Sequence, residues 1–217
     1  MLQEGCVSKG LLELTRKLFE KPAFKDYFLV GGTSLALQIG HRKSDDIDLF
    51  TQKELQIPEI TMYLKQHHKG KYQLLNSQKM IYQVMIDGIK VDFVHHPFEL
   101  VETVQYDRQI AYLGKKDIAA MKLRAIENSG NRAKDFVDIF FLLKEMSLEM
   151  MFEYYRKKYT TDNIFNAKRS LSFFEDVPEE SWKEVRLINR KVTANVIKRN
   201  IIKAVREFND TRMYGKA

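Results

Sequence analysis

The sequence predicts an α+β protein, with a mixed β-sheet core and an N-terminal helix in residues 1–112 and a helical domain with a basic tail in residues 113–217. Three observations support this division. A short apolar run ends in Gly31-Gly32 and leads into a helical pattern, two alternating runs flank Asp87-Gly88, and beyond residue 113 apolar residues recur at helical spacing. With 44% hydrophobic and 30% charged residues, the chain can bury a core, which excludes intrinsic disorder.

The first part alternates strands and helices. A helix predicted over 7–19 ends at Lys21-Pro22. A strand over 28–30, the turn at Gly31-Gly32 and a helix over 34–39 capped by Thr33 follow. Asp87-Gly88 between apolar runs is a strong hairpin signal. The remaining predicted elements are a strand over 47–50, a helix over 57–68, a strand over 72–75, hairpin strands over 80–86 and 89–94, and a strand over 109–112.

The second part follows a helical period throughout. Ser147 and Asp162 are suitable N-caps, and Gly130 separates the first two helices. The predicted helices span 117–128, 132–144, 147–159, 162–174 and 192–208.

The positive charge is concentrated at one end. The chain has a formal net charge of +7, from 36 Lys and Arg against 29 Asp and Glu, and residues 183–217 alone hold ten of the basic and three of the acidic residues. Such a segment attracts a polyanion, and RNA or DNA is the usual polyanion in the cytoplasm. The alternative is a solvated amphipathic helix with ordinary surface lysines.

Other composition features exclude several classes of protein. The uncharged stretch 28–40 has 13 residues, against the about 20 that a transmembrane helix requires. No secretory signal pattern is present at the N-terminus, so we expect a cytoplasmic protein with no membrane partner. Cys6 is the single cysteine, which excludes an internal disulfide, and one cysteine with five scattered histidines does not form a structural zinc cluster.

Asp46-Ile47-Asp48 is the first candidate site. On a strand, the two carboxylates project from one face while Ile47 projects from the other. Adjacent carboxylates repel each other unless water or a cation neutralises them, and Mg²⁺ prefers carboxylate oxygens together with substrate phosphates. Taken alone, the pair also fits an ordinary surface strand.

The surrounding sequence adds a phosphate-binding element and a third acid. A glycine turn at a helix N-terminus offers backbone N–H groups to a phosphate, and Thr33 and Ser34 add hydroxyls there. Asp92 lies between Val91 and Phe93 in the hairpin and faces the opposite side from them. Three acids and such a turn predict a two-metal phosphoryl-transfer site.

Charged residues also interrupt the apolar helices. Lys122 lies on the apolar face of its helix, where its ammonium either reaches water past the core or is directed into a cleft at an anion. Asp135 and Asp138 share one face of a helix that is otherwise apolar all round, and a buried acid needs a partner. Two partners for Lys122 therefore remain open. One is Asp138, in an internal ion pair, and the other is a nucleotide.

The string from Phe28 to Ser34, followed by Asp46-Ile47-Asp48-Leu49, resembles the signature of the DNA polymerase β-like nucleotidyltransferase superfamily. With 41–45 before the acids and the later blocks 117–123 and 134–138, the chain resembles more narrowly the AbiEii/AbiGii family of bacterial nucleotidyltransferase toxins. The spacer leaves open whether Gly31-Gly32 or Gly32-Thr33 grips the phosphate.

The resemblance implies a nucleotidyltransferase-fold core and the transfer of a nucleoside monophosphate from an NTP to a hydroxyl, with release of pyrophosphate. It also implies a toxin of a toxin–antitoxin or abortive-infection system, an antitoxin partner and the 3′ end of tRNA as acceptor. Mg²⁺ or Mn²⁺ is the implied cofactor. The implied metal ligands are Asp46, Asp48 and Asp92. The implied catalytic residues are these three and Asp138. The implied nucleotide-binding residues are Gly31, Gly32, Thr33, Ser34, Lys122 and Asp135.

Two alternatives remain at this point. One is transfer to a hydroxyl of a protein or a small molecule, and the other is a catalytically silent protein of the same fold that binds RNA or a partner. The presence of all three acids argues against silence, and the basic tail argues for a polyanionic acceptor. The relative importance of Asp135 and Asp138 is not decided by the sequence.

Overall fold

The computed structural model describes residues 2–214, with side chains as far as residue 210. The chain divides into two compact units. The first comprises Met1–Phe98 and Thr103–Gly114, and the second comprises Glu99–Glu102 and Lys115–Ala217. No helix within residues 2–214 is long and apolar enough to cross a membrane.

The first unit contains a mixed sheet, as predicted. Its strands are β1 (Phe28–Leu29), β2 (Asp46–Thr51), β3 (Tyr72–Gln78), β4 (Ile81–Ile86), β5 (Ile89–His95), β6 (Gln105–Asp107) and β7 (Ile110–Tyr112). The order across the sheet is β3-β4-β5-β2-β1-β7-β6. The pairs β2–β5 and β1–β7 are parallel, and the other neighbours are antiparallel.

Alternation along the strands places the core on one face of the sheet. In β2 and β4 every second residue is buried, which puts Ile47, Leu49, Tyr82 and Val84 in the core. The helices of this unit are α1 (Lys9–Phe19), α2 (Gly31–Ile39) and α3 (Ile57–His67). The opposite face of β2, β5 and β4 carries the polar residues, so it is the face on which chemistry is possible.

The hairpin predicted at Asp87-Gly88 is confirmed, and it fixes the position of Asp92. Both turn residues have positive φ, 49° and 78°, as a tight two-residue hairpin turn requires. Pairing outward from that turn sets Gln83 opposite Asp92. The turn therefore determines which side chain of β4 faces the third acid.

The second unit is helical, as predicted. Its helices are α4 (Lys115–Asn128), α5 (Ala133–Leu142), α6 (Leu148–Tyr159), α7 (Phe165–Ser170), α8 (Glu179–Glu184) and α9 (Ala194–Tyr214). The predicted N-cap at Ser147 is confirmed, because its side chain accepts a hydrogen bond from the Met150 N–H at 3.2 Å.

Several element predictions are wrong. Thr33 is not a helix cap, because α2 already begins at Gly31. Asp162 does not cap the helix that follows; the Asn163 side chain instead accepts from the Phe165 N–H at 3.0 Å. The helix predicted over 162–174 is shorter in the structure, where only α7 is helical. Phe174 packs on Phe136 from outside that helix, and apolar spacing alone does not distinguish a helical residue from one in a packed turn. The short elements β6 and α8 were not predicted.

Candidate active site

Parallel pairing of β2 and β5 brings the candidate acids together. Asp48 is the register partner of Asp92, and Asp46 is the register partner of Lys90. Because register partners share a face of the sheet, these four side chains form one charged group, which we call the acid row. The sequence predicted that each acid faces away from its apolar neighbours, and the sheet topology adds that Asp48 and Asp92 lie on adjacent strands.

Asp92 is held from one side. It is 9% exposed, and its Oδ2 accepts hydrogen bonds from the Gln83 Nε2 at 2.8 Å and the Lys90 Nζ at 2.7 Å. Its Oδ1 is buried and has no hydrogen-bond partner within the described part of the chain. A buried carboxylate oxygen without a donor is costly unless a cation or a substrate group completes it.

The glycine turn approaches the acid row closely. Gly31 has a positive φ of 67°, and a Cβ built on it would lie 2.2 Å from the Asp48 Oδ2. A Cβ on Gly32 would lie 2.0 Å from the Arg42 Nη2. Both positions therefore require glycine for close approach, and Gly31 requires it for its backbone conformation as well. The structure thus sets the backbone of the turn directly against the Asp48 carboxylate and the Arg42 guanidinium.

Thr33 and Ser34 are directed into the protein. Each is 1% exposed. The Thr33 hydroxyl contacts the Ser44 hydroxyl at 2.9 Å and donates to the backbone carbonyl of Asp46, and the Ser34 hydroxyl donates to the carbonyl of Leu113 at 3.3 Å. The expectation that these hydroxyls are offered at the turn surface is therefore corrected. They fix α2 against the start of β2 and the end of β7.

Lys122 lies in a buried ion cluster in the second unit. Its Nζ is 2.6 Å from the Asp135 Oδ1 and 2.6 Å from the Asp138 Oδ2. Arg132 donates to both oxygens of Asp135, from Nε at 2.8 Å and from Nη2 at 3.1 Å. Lys122 is 5% exposed, Asp135 2% and Asp138 0%. Of the alternatives that the sequence left open for Lys122, the structure shows the ion pair with Asp138, and it adds Asp135 as a second partner.

The cluster is electrostatically balanced. Burial by itself raises the pKa of Asp135, but the charges of Lys122 and Arg132 and their hydrogen bonds hold that pKa below its ordinary value. The two aspartates lie three residues apart on one face of α5, which is why a single ammonium reaches both. Asp135 and Asp138 are both occupied by this pairing, so the structure does not favour one over the other as a site residue.

A second buried ion pair was missed by sequence reasoning. The Lys158 Nζ is 2.7 Å from the Asp117 Oδ1, and neither side chain is exposed. Asp117 also accepts from the backbone N–H groups of Val101 and Glu102. The pair therefore attaches the segment 99–102 to α4 and α6. Nothing in the charge pattern distinguishes Lys158 from the other basic residues at the end of α6.

Sequence reasoning placed Lys90 on the same face as Asp92 but missed Gln83 as its partner. The signal was available, because Lys90 precedes Asp92 by two residues on the same strand and the hairpin turn fixes Gln83 opposite it. Among residues whose side chains the structure describes, no three His, Cys, Asp or Glu side chains form a preassembled metal-binding group. A metal at the acid row would thus need oxygens from a substrate to complete its coordination.

Half of the ten basic residues of the tail belong to the range of α9. Lys198, Arg199, Lys203 and Arg206 all belong to α9, whose apolar side is formed by Ile197, Ile201, Val205 and Phe208. The Lys198 Nζ stands 4.9 Å from the centre of the Trp182 ring, which is itself buried against Phe136. The side chains of Arg212 and Lys216 lie outside the described residues.

The chain is similar to proteins of one known family. Residues 14–192 match the family described as nucleotidyl transferase AbiEii toxin, Type IV TA system. The uncharacterized protein aq_aa25 of Aquifex aeolicus (strain VF5) is 30% identical over 183 residues, covering 82% of this chain and 88% of that protein.

Two solved structures share the fold. MenT4, a nucleotidyltransferase toxin from Mycobacterium tuberculosis H37Rv, aligns with a TM-score of 0.57 at 14% identity, over 89% of this chain and 80% of that one. JHP933 from Helicobacter pylori aligns with a TM-score of 0.54 at 15% identity, over 95% of this chain and 99% of that one. The mixed sheet with its glycine turn and acid row is thus found on a nucleotidyltransferase fold, and the chain belongs to the AbiEii family of nucleotidyltransferase toxins.

Proposed function

We propose that this protein transfers a nucleoside monophosphate from an NTP to an acceptor hydroxyl in a metal-dependent reaction, with the 3′ end of tRNA as the acceptor. One observation carries the metal-dependent part. The Asp92 Oδ1 is buried without a donor on the strand paired in register with Asp48, beside a glycine turn that approaches Asp48.

The three carboxylates of the acid row are of the ligand type that suits a divalent metal. Oxygen ligands from carboxylates suit Mg²⁺ and Mn²⁺, and both ions are commonly completed by substrate phosphates. Asp46 and Asp48 would hold the ion that accompanies the triphosphate, and Asp92 would complete a second site. A bound ion would supply charge neutralisation on the phosphates and would make the acceptor hydroxyl more acidic.

The protein's own groups then account for orientation and proton transfer. The backbone of Gly31 and Gly32 would contact a phosphate, while Thr33 and Ser34 hold that turn from behind. The hydroxyl oxygen of the acceptor attacks the α-phosphorus, the bond from that phosphorus to the β-phosphate bridging oxygen breaks, and pyrophosphate leaves. Asp92 would also help to remove the proton of the acceptor hydroxyl.

Lys122 remains a proposed triphosphate contact, and Asp135 and Asp138 remain proposed site residues, on the strength of the family alone. Their observed contacts support a structural role as well. A lysine held by two carboxylates keeps its charge and a fixed position, which suits phosphate binding, but it also explains its burial without any nucleotide.

The tRNA acceptor is supported by the basic character of α9. Exposed Arg199, Lys203 and Arg206 lie on the same side of that helix, away from its apolar residues. Membership in a toxin–antitoxin family implies a cognate antitoxin, and we propose that the protein acts in the cytoplasm, where tRNA and NTPs are available.

The acceptor is identified by labelling. The protein is incubated with each of the NTPs, labelled at the α-phosphate, and with separated tRNA, ribosomal RNA, total protein or small metabolites. We expect label in the tRNA fraction, which nuclease digestion then locates at the 3′ end. Label in protein or in a small molecule would replace the tRNA acceptor by one of the alternatives. No label in any fraction would support a catalytically silent protein.

A further inference from the structure

A polar row crosses four strands of the sheet and ends at the candidate metal ligands. The Asn76 Nδ2 donates to the Gln83 Oε1 at 3.1 Å, and the Gln83 Nε2 donates to the Asp92 Oδ2 at 2.8 Å. These residues are register partners from β3 to β4 and from β4 to β5, and Asp92 is in turn the partner of Asp48. The contact with Asn76 orients the Gln83 amide so that its NH₂ group faces the acid.

Lys90 places a positive charge inside the same group. Its Nζ is 2.7 Å from the Asp92 Oδ2, and Lys90 is the register partner of Asp46 on the other side. The Lys90 side chain is 37% exposed and that of Asp92 is 12% exposed. An ammonium at this position neutralises part of the repulsion among Asp46, Asp48 and Asp92.

The two carboxylate oxygens of Asp92 differ in their hydrogen-bond partners. Both protein donors use Oδ2, while Oδ1 is buried and has no donor within the described residues. We propose that Lys90 is an internal cation that competes electrostatically with a divalent metal at Asp92, an inference that rests on the metal site of the proposed function. A metal that arrives alone meets this charge, whereas a metal that arrives on an NTP brings phosphates that offset it.

The test measures metal binding without any reaction. Mn²⁺ alone is titrated into the full chain, and the free ion is followed by its electron paramagnetic resonance signal. For Lys90→Met we expect Mn²⁺ to bind about threefold or more tightly than to the wild type at low salt, because a like charge next to the ion is removed. Lys90→Arg keeps the charge, and we expect wild-type affinity.

Lys53→Met is the matched control. Lys53 forms an ion pair with Asp26 at 2.8 Å in the same unit, and neither residue belongs to the acid row. This variant loses the same net charge, so we expect Mn²⁺ affinity to stay unchanged. Thermal melting of each variant verifies that it is folded, and Lys90→Gln replaces Lys90→Met if the methionine variant does not fold.

The outcomes separate this inference from the function on which it rests. Wild-type binding of Mn²⁺ with equal or weaker binding by Lys90→Met would overturn the competition and leave the metal site in place. An equal gain in Lys53→Met would reduce the effect to net charge and overturn it too. No Mn²⁺ binding by the wild type or by Lys90→Met would overturn both the competition and the proposed metal dependence.

Discussion

At the scale of single residues, the buried charges divide into two kinds. Lys122 and Lys158 have their carboxylates within 2.7 Å and lie almost entirely out of water. One carboxylate oxygen of Asp92 accepts hydrogen bonds from two donors, and its other oxygen has no hydrogen-bond partner among the described residues. The ion pairs account for the burial of the two lysines, whereas the second oxygen of Asp92 leaves a position for a ligand.

Lys122→Met should destabilise the protein by about 3–5 kcal/mol, because it leaves the buried Asp138 without its ammonium and Asp135 with Arg132 alone. Urea denaturation followed by circular dichroism measures the change. Adding Asp138→Asn to the variant should recover part of the loss, since it removes one of the two buried carboxylates that Lys122 contacts. An unchanged unfolding free energy in Lys122→Met would show that the cluster contributes nothing to the fold.

The same cluster predicts a loss of stability in acid. The pKa of Asp135 is lower in the folded state than its ordinary value of 3.8, so the ionised form stabilises the fold above that pH. The stabilisation is lost as the pH falls below about 4 towards the folded pKa. We expect Asp135→Asn to have a smaller slope of unfolding free energy against pH in this window than the wild type. Equal slopes would contradict the assignment.

At the scale of elements, the glycine turn is the part whose geometry the sequence predicted least completely. Gly-Gly before a helix indicates a turn, but the Asp48 carboxylate next to Gly31 follows from pairing of β1 with β2, which is a tertiary fact. The hairpin was predictable in detail because Asp-Gly sets the register locally. The three-residue strand β6 and the six-residue helix α8 carry too few residues to show a period.

Gly31→Ala should cost more stability than Gly70→Ala. Both glycines have positive φ, which costs an alanine about 1–2 kcal/mol. At Gly31 the added Cβ also meets the Asp48 Oδ2 at 2.2 Å, whereas at Gly70 it meets no described atom within 4 Å. Parallel urea denaturations give the difference, which we expect to be about 1 kcal/mol or more. Equal losses would mean that the Asp48 carboxylate moves aside freely.

The burial of Thr33, Ser34 and Lys122 marks the limit of prediction at the candidate site. The sequence gives the types of residue and the face of an element on which they lie. It does not give the hydrogen-bond partner, which for Thr33 is a carbonyl of Asp46 on β2 and for Lys122 is a pair of acids on α5. The acids themselves were predictable, because alternation along a strand is local.

At the scale of the whole molecule, the excess of positive charge lies in residues 183–217. Among the described residues of α9, Arg199, Lys203 and Arg206 are exposed and therefore accessible to RNA. Reversing Arg199, Lys203 and Arg206 to glutamate should weaken tRNA binding and reduce the slope of log K against log salt by about one unit per lost phosphate contact. Lys198 is left in place because it packs over Trp182. Filter binding at several salt concentrations measures the slope.

Reversal of Lys65, Lys69 and Lys79 is the control for that experiment. These exposed lysines lie in the first unit, and reversing them gives the same change of net charge. We expect them to change the salt slope much less than the α9 variant does. Equal effects would make the attraction a property of net charge, and an unchanged slope in the α9 variant would make the tail a solvated helix face.

Nucleotidyl transfer at the acid row is tested by following whether the α- or the γ-phosphate of the NTP reaches the acceptor. The wild type and Asp48→Asn are each incubated with tRNA and with an NTP labelled at either the α- or the γ-phosphate, with Mg²⁺ or with a chelator. Asp45→Asn, which changes an exposed neighbouring acid, is the control. We expect α-label in the RNA, γ-label in released pyrophosphate, and no transfer by Asp48→Asn or in the presence of chelator. Transfer of the γ-label to the acceptor, or wild-type transfer by Asp48→Asn, would contradict nucleotidyl transfer at the acid row.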